Sequence, residues 1–368
     1  MREHAADPLP IAQARRLAVA AQGLHDETES AVAVLRRAGL LQRDPLTRVA
    51  RAHTLTCAAR MPVAPVVGGV DRDLWPVDGR PATFETYTHA ACVMPIGDWP
   101  LFEIHRARAR ERTDTPPAAV RERVRATIGD SEQGLTIREL QRGDRTGGGW
   151  GWSETKRAAE HMVWRGELAA TRRRRRERVL DLAERAVPTE HLDRTLTPGE
   201  CVAALVDHAL RALGVATTED LATYYRLPAG QVAAALHDRG HRPIAVEGWS
   251  EVAWVVEPEP SSVPGSRARL IGPFDNLIRD RARTRRLFGF DYVFEAYKPE
   301  ARRTYGAYVL AVLVGDDLVA RADVHRQGQA LTLRRVFAET ARDEDWCRAR
   351  TVEAVEALAT QLGLDCET

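Results

Sequence analysis

One supersecondary layout occurs twice in this chain, and it narrows the possible folds more than any other feature. Beyond Pro116-Pro117, AVRERVRATIGDSEQGLTIRELQR reads as two short helices separated by a turn. SETKRAAEHMVWRGEL follows as an amphipathic helix, with Ala158, Ala159, Met162 and Val163 at helical spacing and Gly166 closing it. LAATRRRRRERVLDLAE then predicts two short strands around an Arg-rich tip. Residues 197–255 repeat the order. A helix starts with Thr197 before Pro198, two shorter helices follow in TTEDLATYYRL and PAGQVAAALHDRG, and IAVEGWSEVAWVV predicts a hairpin. Helix, turn, helix and hairpin is the layout of a winged-helix domain.

The flanks carry other patterns. Ile11, Ala14, Leu17, Ala18, Ala21 and Leu24 predict a helix over residues 9–24, and a second runs from Ser30 to Ala38 before Gly39. Residues 40–61 begin strand-like or turn-like, break at Asp44-Pro45, and continue as a helix with Val49, Ala52 and Leu55 inward. Residues 62–88 are rich in Pro and Gly and predict an irregular connection, pinned to the core by Trp75, Phe84 and Tyr87. EPEPSSVPGS, at 257–266, has linker composition. After it the apolar period becomes two. YVFEAYK, YGAYVLAVLVGDDLVARADVHR and ALTLRRVF predict antiparallel strands with turns at Gly315-Asp316 and Gln327-Gly328, and a helix closes the chain.

Composition bounds the function. At about 150 residues per domain, 368 residues predict two or three domains. No apolar run approaches the roughly 20 residues of a membrane span, and MREHAADPLP lacks the apolar core of a signal peptide, so a soluble intracellular protein is expected. The net charge is +1, yet of 53 basic residues only Lys156 and Lys298 are lysines. Genomic base composition is one source of such a bias. Lys156 to Arg178 holds nine basic residues against three acidic ones, and Arg267 to Arg286 holds seven against two. Such patches suit a docking face for a polyanion, and equally a solvated surface. The five cysteines form no CxxC pair, and His237 and His241 straddle Gly240, so neither a disulfide framework nor a metal site is expected. There is no P-loop and no nucleophile elbow, and no strand feeds Gly147-Gly148-Gly149.

Four stretches resemble one family in order. They are LLQRDPLTRVARAHTLTCAAR (40–60), FETYTHAACVMPIGDWPLF (84–102), residues 147–185 and residues 272–310. The family is the crosslink-repair DNA glycosylases of the YcaQ and AlkZ type. The resemblance implies an α+β fold of tandem winged-helix (helix-turn-helix) domains followed by a C-terminal β-barrel-like domain. The expected boundaries are 1–115, carrying the catalytic motif, 116–195, with the Arg-rich wing, 196–260, and 261–368 with the terminal helix. The implied activity is hydrolysis of the N-glycosidic bond of bulky N-alkylated purines and unhooking of interstrand crosslinks, without metal or cofactor. The implied partner is double-stranded DNA bearing such lesions, met by a monomer in the cytoplasm at the nucleoid. A self-resistance role against a DNA-alkylating natural product fits the same chemistry.

The family's catalytic motif is Gln, an apolar residue, then Gln or Asp; here it is Gln42-Arg43-Asp44, similar to the Asp-bearing YcaQ branch. In an extended segment, residues 42 and 44 share a face and Arg43 points away, toward solvent, DNA or a carboxylate. An alkylated purine is already an activated leaving group, so its departure needs no general acid. A carboxylate at Asp44 stabilises the oxocarbenium-like sugar and takes a proton from water, while Gln42 holds that water. Read alone, the same segment is a solvent-facing turn with Asp44 capping a helix at Pro45. His53 and His89 read as core histidines or as lining of the lesion cleft. Trp150 and Trp152 read as loop locks or as surfaces for an unpaired base. Arg51, Lys156, Arg157, the run Arg172, Arg173, Arg174, Arg175 and Arg176, and Arg281 and Arg285 are the candidate DNA contacts. The rivals to a glycosylase are a non-catalytic winged-helix DNA-binding protein, either a regulator or a lesion-sequestering relative, and a protein-interaction module.

Overall fold

The computed structural model describes residues 7–143, 153–174, 176–256, 265–339 and 342–368. The chain divides into two units, Met1–Asp71 with Val206–Thr368, and Arg72–Leu205. Among the described residues no helix is long and apolar enough to cross a membrane. Trp150, Trp152 and Arg175 lie outside the described residues, as do the three glycines 147–149 and most of the 257–266 linker.

The first unit opens with α1 (Ile11–Ala21) and α2 (Ala31–Ala38). The Ser30 hydroxyl accepts the Ala33 N–H and so satisfies one of the donors a helix start leaves open. Gly39 ends α2 at φ 71°, and the Tyr225 hydroxyl occupies the space a Cβ would need there. Only glycine meets both demands. The chain turns there into β1 (Leu41–Gln42), then continues through α3 (Ala52–Ala58) and α4 (Gly69–Leu74).

The second unit begins with β2 (Thr83–Tyr87) and β3 (Ala91–Pro95), a hairpin with Phe84 opposite Met94. The Pro/Gly-rich connection thus holds regular structure. Trp75 and Phe84 are buried, whereas Tyr87 stands exposed beside the Trp164 ring. After α5 (Glu103–Glu111) come α6 (Ala118–Gly129), β4 (Leu135–Thr136), α7 (Ile137–Leu140) and α8 (Glu154–Arg165). Then follow β5 (Leu168–Arg174), β6 (Glu177–Leu182), α9 (Ala183–Ala186) and α10 (Thr189–Leu192). Thr136 and Glu139 cap α7 reciprocally, and Ser153 caps α8. Val120, Val124 and Ile128 of α6 meet Ala158, Ala159 and Met162 of α8 over Leu168, Ala170 and Leu180 of a sheet ordered β4-β6-β5. The apolar stripes read from the sequence are the faces that bury.

The same element order returns from α11 (Pro198–Leu213). It continues with β7 (Val215–Thr217), α12 (Thr218–Tyr225), α13 (Ala229–Asp238), β8 (Pro243–Ile244) and β9 (Ala253–Val255), in a sheet ordered β7-β9-β8. The first unit ends with β10 (Ala268–Ile271), α14 (Arg281–Phe288), β11 (Val309–Val314), β12 (Asp317–Gln327), β13 (Ala330–Ala338), α15 (Glu344–Leu362) and β14 (Asp365–Glu367). Its sheet runs β10-β11-β12-β13-β14 without closing, a curled half-barrel in a mixed α+β fold. Register shifts at Val312/Leu313 and Asp323/Val324 bend it. Ile271, Ala311 and Leu313 of this sheet share a core with Val19, Leu24, Ala59, Leu277, Ile278 and Phe290.

One predicted strand is absent. YVFEAYK, residues 292–298, is irregular. The buried Glu295 carboxylate supplies the reason. It accepts the backbone N–H groups of Thr304, Tyr305 and Gly306 at 3.1, 2.8 and 3.3 Å, and the Lys298 ammonium at 2.9 Å. These bonds fold the segment into a loop instead of a ladder.

Candidate active site

The segment that carries Gln42 and Asp44 is fastened on its N-terminal side. Asn276 Nδ2 donates to the Leu40 carbonyl at 2.7 Å and to Tyr224 Oη at 3.0 Å, and Tyr224 Oη donates to the Ala38 carbonyl at 2.5 Å. On its C-terminal side, α3 leads to Arg60, which is fully buried. Arg60 forms a bidentate pair with Asp275 at 2.7 and 2.9 Å, and also reaches the Gln22 carbonyl at 2.7 Å. A buried pair of this kind contributes little net stability over apolar packing, but losing one partner is costly. It fixes where the chain passes. Asp275 and Asn276 are thus the clamp behind the motif, and sequence reasoning passed over them. A lone Asp-Asn between Phe274 and Leu277-Ile278, in the last of the four blocks, was the signal that marks them.

Gln42 is buried at the end of β1, and Asp44 lies half-buried just beyond it. Asp44 Oδ1 accepts the Leu46 N–H at 2.9 Å, an Asx turn around Pro45. Among the described residues this is the carboxylate's hydrogen bond, so most of its acceptor capacity is open. Burial holds the carboxyl above the usual aspartate range, and the Leu46 N–H only partly offsets it. Tyr308 lies close enough for the Asp44 charge to act on its hydroxyl.

A second carboxylate is treated oppositely. His53 Nε2 donates to Asp71 Oδ1 at 2.9 Å, and Arg51 Nη1 donates to Asp71 Oδ2 at 3.2 Å. The His53 bond holds Asp71 below the usual range even though burial opposes it. Burial in turn pushes His53 down more than Asp71 lifts it, so the imidazole is neutral at neutral pH and serves as a donor. The Arg43 charge lowers both groups. Arg51, His53 and Asp71 thus form one hydrogen-bonded group within reach of the Arg43 charge, and Asp44, next to Arg43 in the chain, acts on Tyr308.

The remaining candidates are placed as follows. His89 sits half-buried in the turn of the β2–β3 hairpin, with Nδ1 at 3.2 Å from the Thr88 hydroxyl. In the β5–β6 hairpin, Arg172 pairs with Asp181 at 2.9 Å, and Arg174 with Glu139 at 2.8 Å. Arg173 is 7% exposed in a bidentate pair with Glu85 at 2.7 and 3.0 Å, and its guanidinium stacks on Trp75. Arg178, beside this run, is paired with Glu160. Carboxylates from the same hairpin and from other elements thus pair with much of this basic run. Arg157 and Arg176 are exposed, and Lys156 is half-buried. Arg281 donates to the Ile278 and Pro273 carbonyls at 2.7 and 2.8 Å, and Arg285 pairs with Asp291 at 2.5 Å on the surface. Among the described residues no group of three or more His, Cys, Asp and Glu side chains is arranged to hold a metal ion.

Comparison with known proteins adds two findings. The model of the AlkZ-like DNA glycosylases matches residues 35–363. The chain is also similar in fold to the solved structure of the Streptomyces sahachiroi DNA glycosylase AlkZ, with a TM-score of 0.67 at 18% identity over 98% of this chain and 99% of that one.

Proposed function

Because the chain belongs to the AlkZ-like DNA glycosylase family, and is an enzyme of that class, we propose that it hydrolyses the N-glycosidic bond of bulky N-alkylated purines, those in interstrand crosslinks included. The observation that carries this reading is Asp44: half-buried, beside Gln42, with one internal hydrogen bond and a pKa raised by burial. A carboxylate so placed is a better base than a solvated one, and its charge acts in a medium of reduced dielectric. Asp44 stabilises the cationic sugar as the base departs and takes the proton of the attacking water, while the Gln42 amide positions that water.

We read 116–195 and 196–260 as winged helices within a tandem array, with 1–115 as the first member and 261–368 as the half-barrel domain. The repeated element orders and the sheets β4-β6-β5 and β7-β9-β8 support this. In this reading duplex DNA is bound by a monomer at the nucleoid, through backbone phosphates and without sequence preference, and Arg157 and Arg176 are the side chains best exposed for it. Housekeeping repair and resistance to one DNA-alkylating natural product both fit this chemistry.

Single-turnover base release from duplexes carrying N7-methylguanine or a nitrogen-mustard crosslink tests the reading. Wild-type protein should release the base from both. Asp44→Asn should bind them as tightly and release base slower by about 10² or more. Equal rates for the two proteins would remove Asp44 from the mechanism. No release from any alkylated duplex would leave a DNA-binding protein without this activity.

A further inference from the structure

Resting on that reading, we propose that Tyr297, backed by Phe294 and Tyr308, is the platform on which the extruded alkylated purine stacks beside Asp44. The four rings form a continuous row. Tyr297 lies 5.9 Å from Phe294, Phe294 lies 5.2 Å from Phe274 and 6.0 Å from Tyr308, and Phe274 lies 6.3 Å from Tyr308. The row starts at the surface, with Tyr297 81% exposed, and ends at Tyr308, which is buried near Asp44. The Tyr308 hydroxyl has no hydrogen-bond partner among the described residues.

The loop that presents Tyr297 is held. Glu295 gathers three backbone N–H groups and the Lys298 ammonium beneath it, and Arg303 Nε donates to the Lys298 carbonyl at 2.9 Å. An exposed ring on a braced loop loses little conformational entropy when it stacks. A cation lies nearby in the same loop: Arg302, which is exposed and has no ion pair among the described residues. Rings for a base next to a cation for phosphate is the composition of a single-strand or flipped-base surface. The chemistry also favours the lesion over its parent. An N7- or N3-alkylated purine is cationic, and a cation gains from the negative face of a tyrosine ring and from the Asp44 carboxylate.

The test is equilibrium binding to two duplexes. One bears a single N7-methylguanine on a 2′-fluoro sugar, which resists hydrolysis, and the other bears guanine at that position. Tyr297→Ala should lose about tenfold in affinity for the lesion duplex and less than about twofold for the guanine duplex, while Tyr297→Trp keeps the lesion preference. Because neither duplex is cleaved, the outcome does not depend on whether Asp44 is the base. Equal loss on both duplexes, an unchanged preference in Tyr297→Ala, or failure of Tyr297→Trp to keep it, would each overturn the platform.

Discussion

Asp44 and Glu295 are carboxylates of the same unit, and their surroundings move them in opposite directions. Burial acts to raise both. At Glu295, three backbone N–H groups and the Lys298 ammonium overcome it and hold the carboxyl at about 2. At Asp44, the Leu46 N–H is too little, and the group stays raised. The difference separates two uses of one side chain. A carboxylate whose acceptors are filled by its own fold is a fastening, and one whose acceptors are left open is available to water and substrate. The same contrast divides the arginines of the second unit. Arg173 is locked to Glu85 and Trp75, while Arg157 stands in solvent.

The largest effect should come from Asp44→Asn, which tests the open side of the contrast. Base release should fall by about 10² to 10⁴. Because the base must be ionised, wild-type release should decline as pH falls through the raised Asp44 pKa, giving an acid limb above 3.8, and the variant should lack that limb. Stability should not fall. A folded-state pKa above the unfolded one means the ionised form is disfavoured in the fold at neutral pH, so the amide should hold or raise the melting temperature. A destabilised Asp44→Asn would make this carboxylate a fastening like Glu295.

Arg173→Ala tests the closed side. Removing one member of a buried pair strands Glu85, and chemical denaturation should show a loss of about 3 to 5 kcal/mol. Arg157→Ala should instead leave stability alone and reduce the salt slope of duplex binding by about 0.9. A stable Arg173→Ala with a reduced slope would put that guanidinium on phosphate.

Glu295→Gln follows. The wild-type folded pKa near 2 lies below the usual 4.5, so its contribution is complete above 4.5 and disappears as pH falls toward 2. The shift corresponds to about 3 kcal/mol at neutral pH. The gap in stability between wild type and variant should therefore close across that acid window, and a gap independent of pH would break the account. Arg43→Leu should matter least. It restores the apolar residue of the family motif and removes one of the cations near Asp71, so base release should hold or rise. A folded Arg43→Leu without activity would make Arg43 a lesion contact.

What the amino-acid order determined by itself is local. Apolar spacing over 118–182 and 198–255 specified helices and hairpins, because burying one face is enough to choose between a period of 3.6 and a period of two. Ser30, Ser153 and Thr197 announced helix starts for an equally local reason, and the Gln42-Arg43-Asp44 segment was visible through the family pattern. Tertiary structure decided what local pattern could not. YVFEAYK alternates like a strand, yet Glu295 captured N–H groups nine to eleven residues away and made it a loop. The basic run at 172–178 reads as a polyanion site until Glu85, Glu139 and Glu160 arrive from other elements and the hairpin folds Asp181 back onto Arg172. Asp275 and Asn276 became the clamp behind Leu40 and Arg60 only when more than 200 residues of intervening chain brought them there. Whether a charge is filled or open depends on groups distant in sequence, since solvation and hydrogen-bond satisfaction are properties of the assembled surroundings rather than of the side chain.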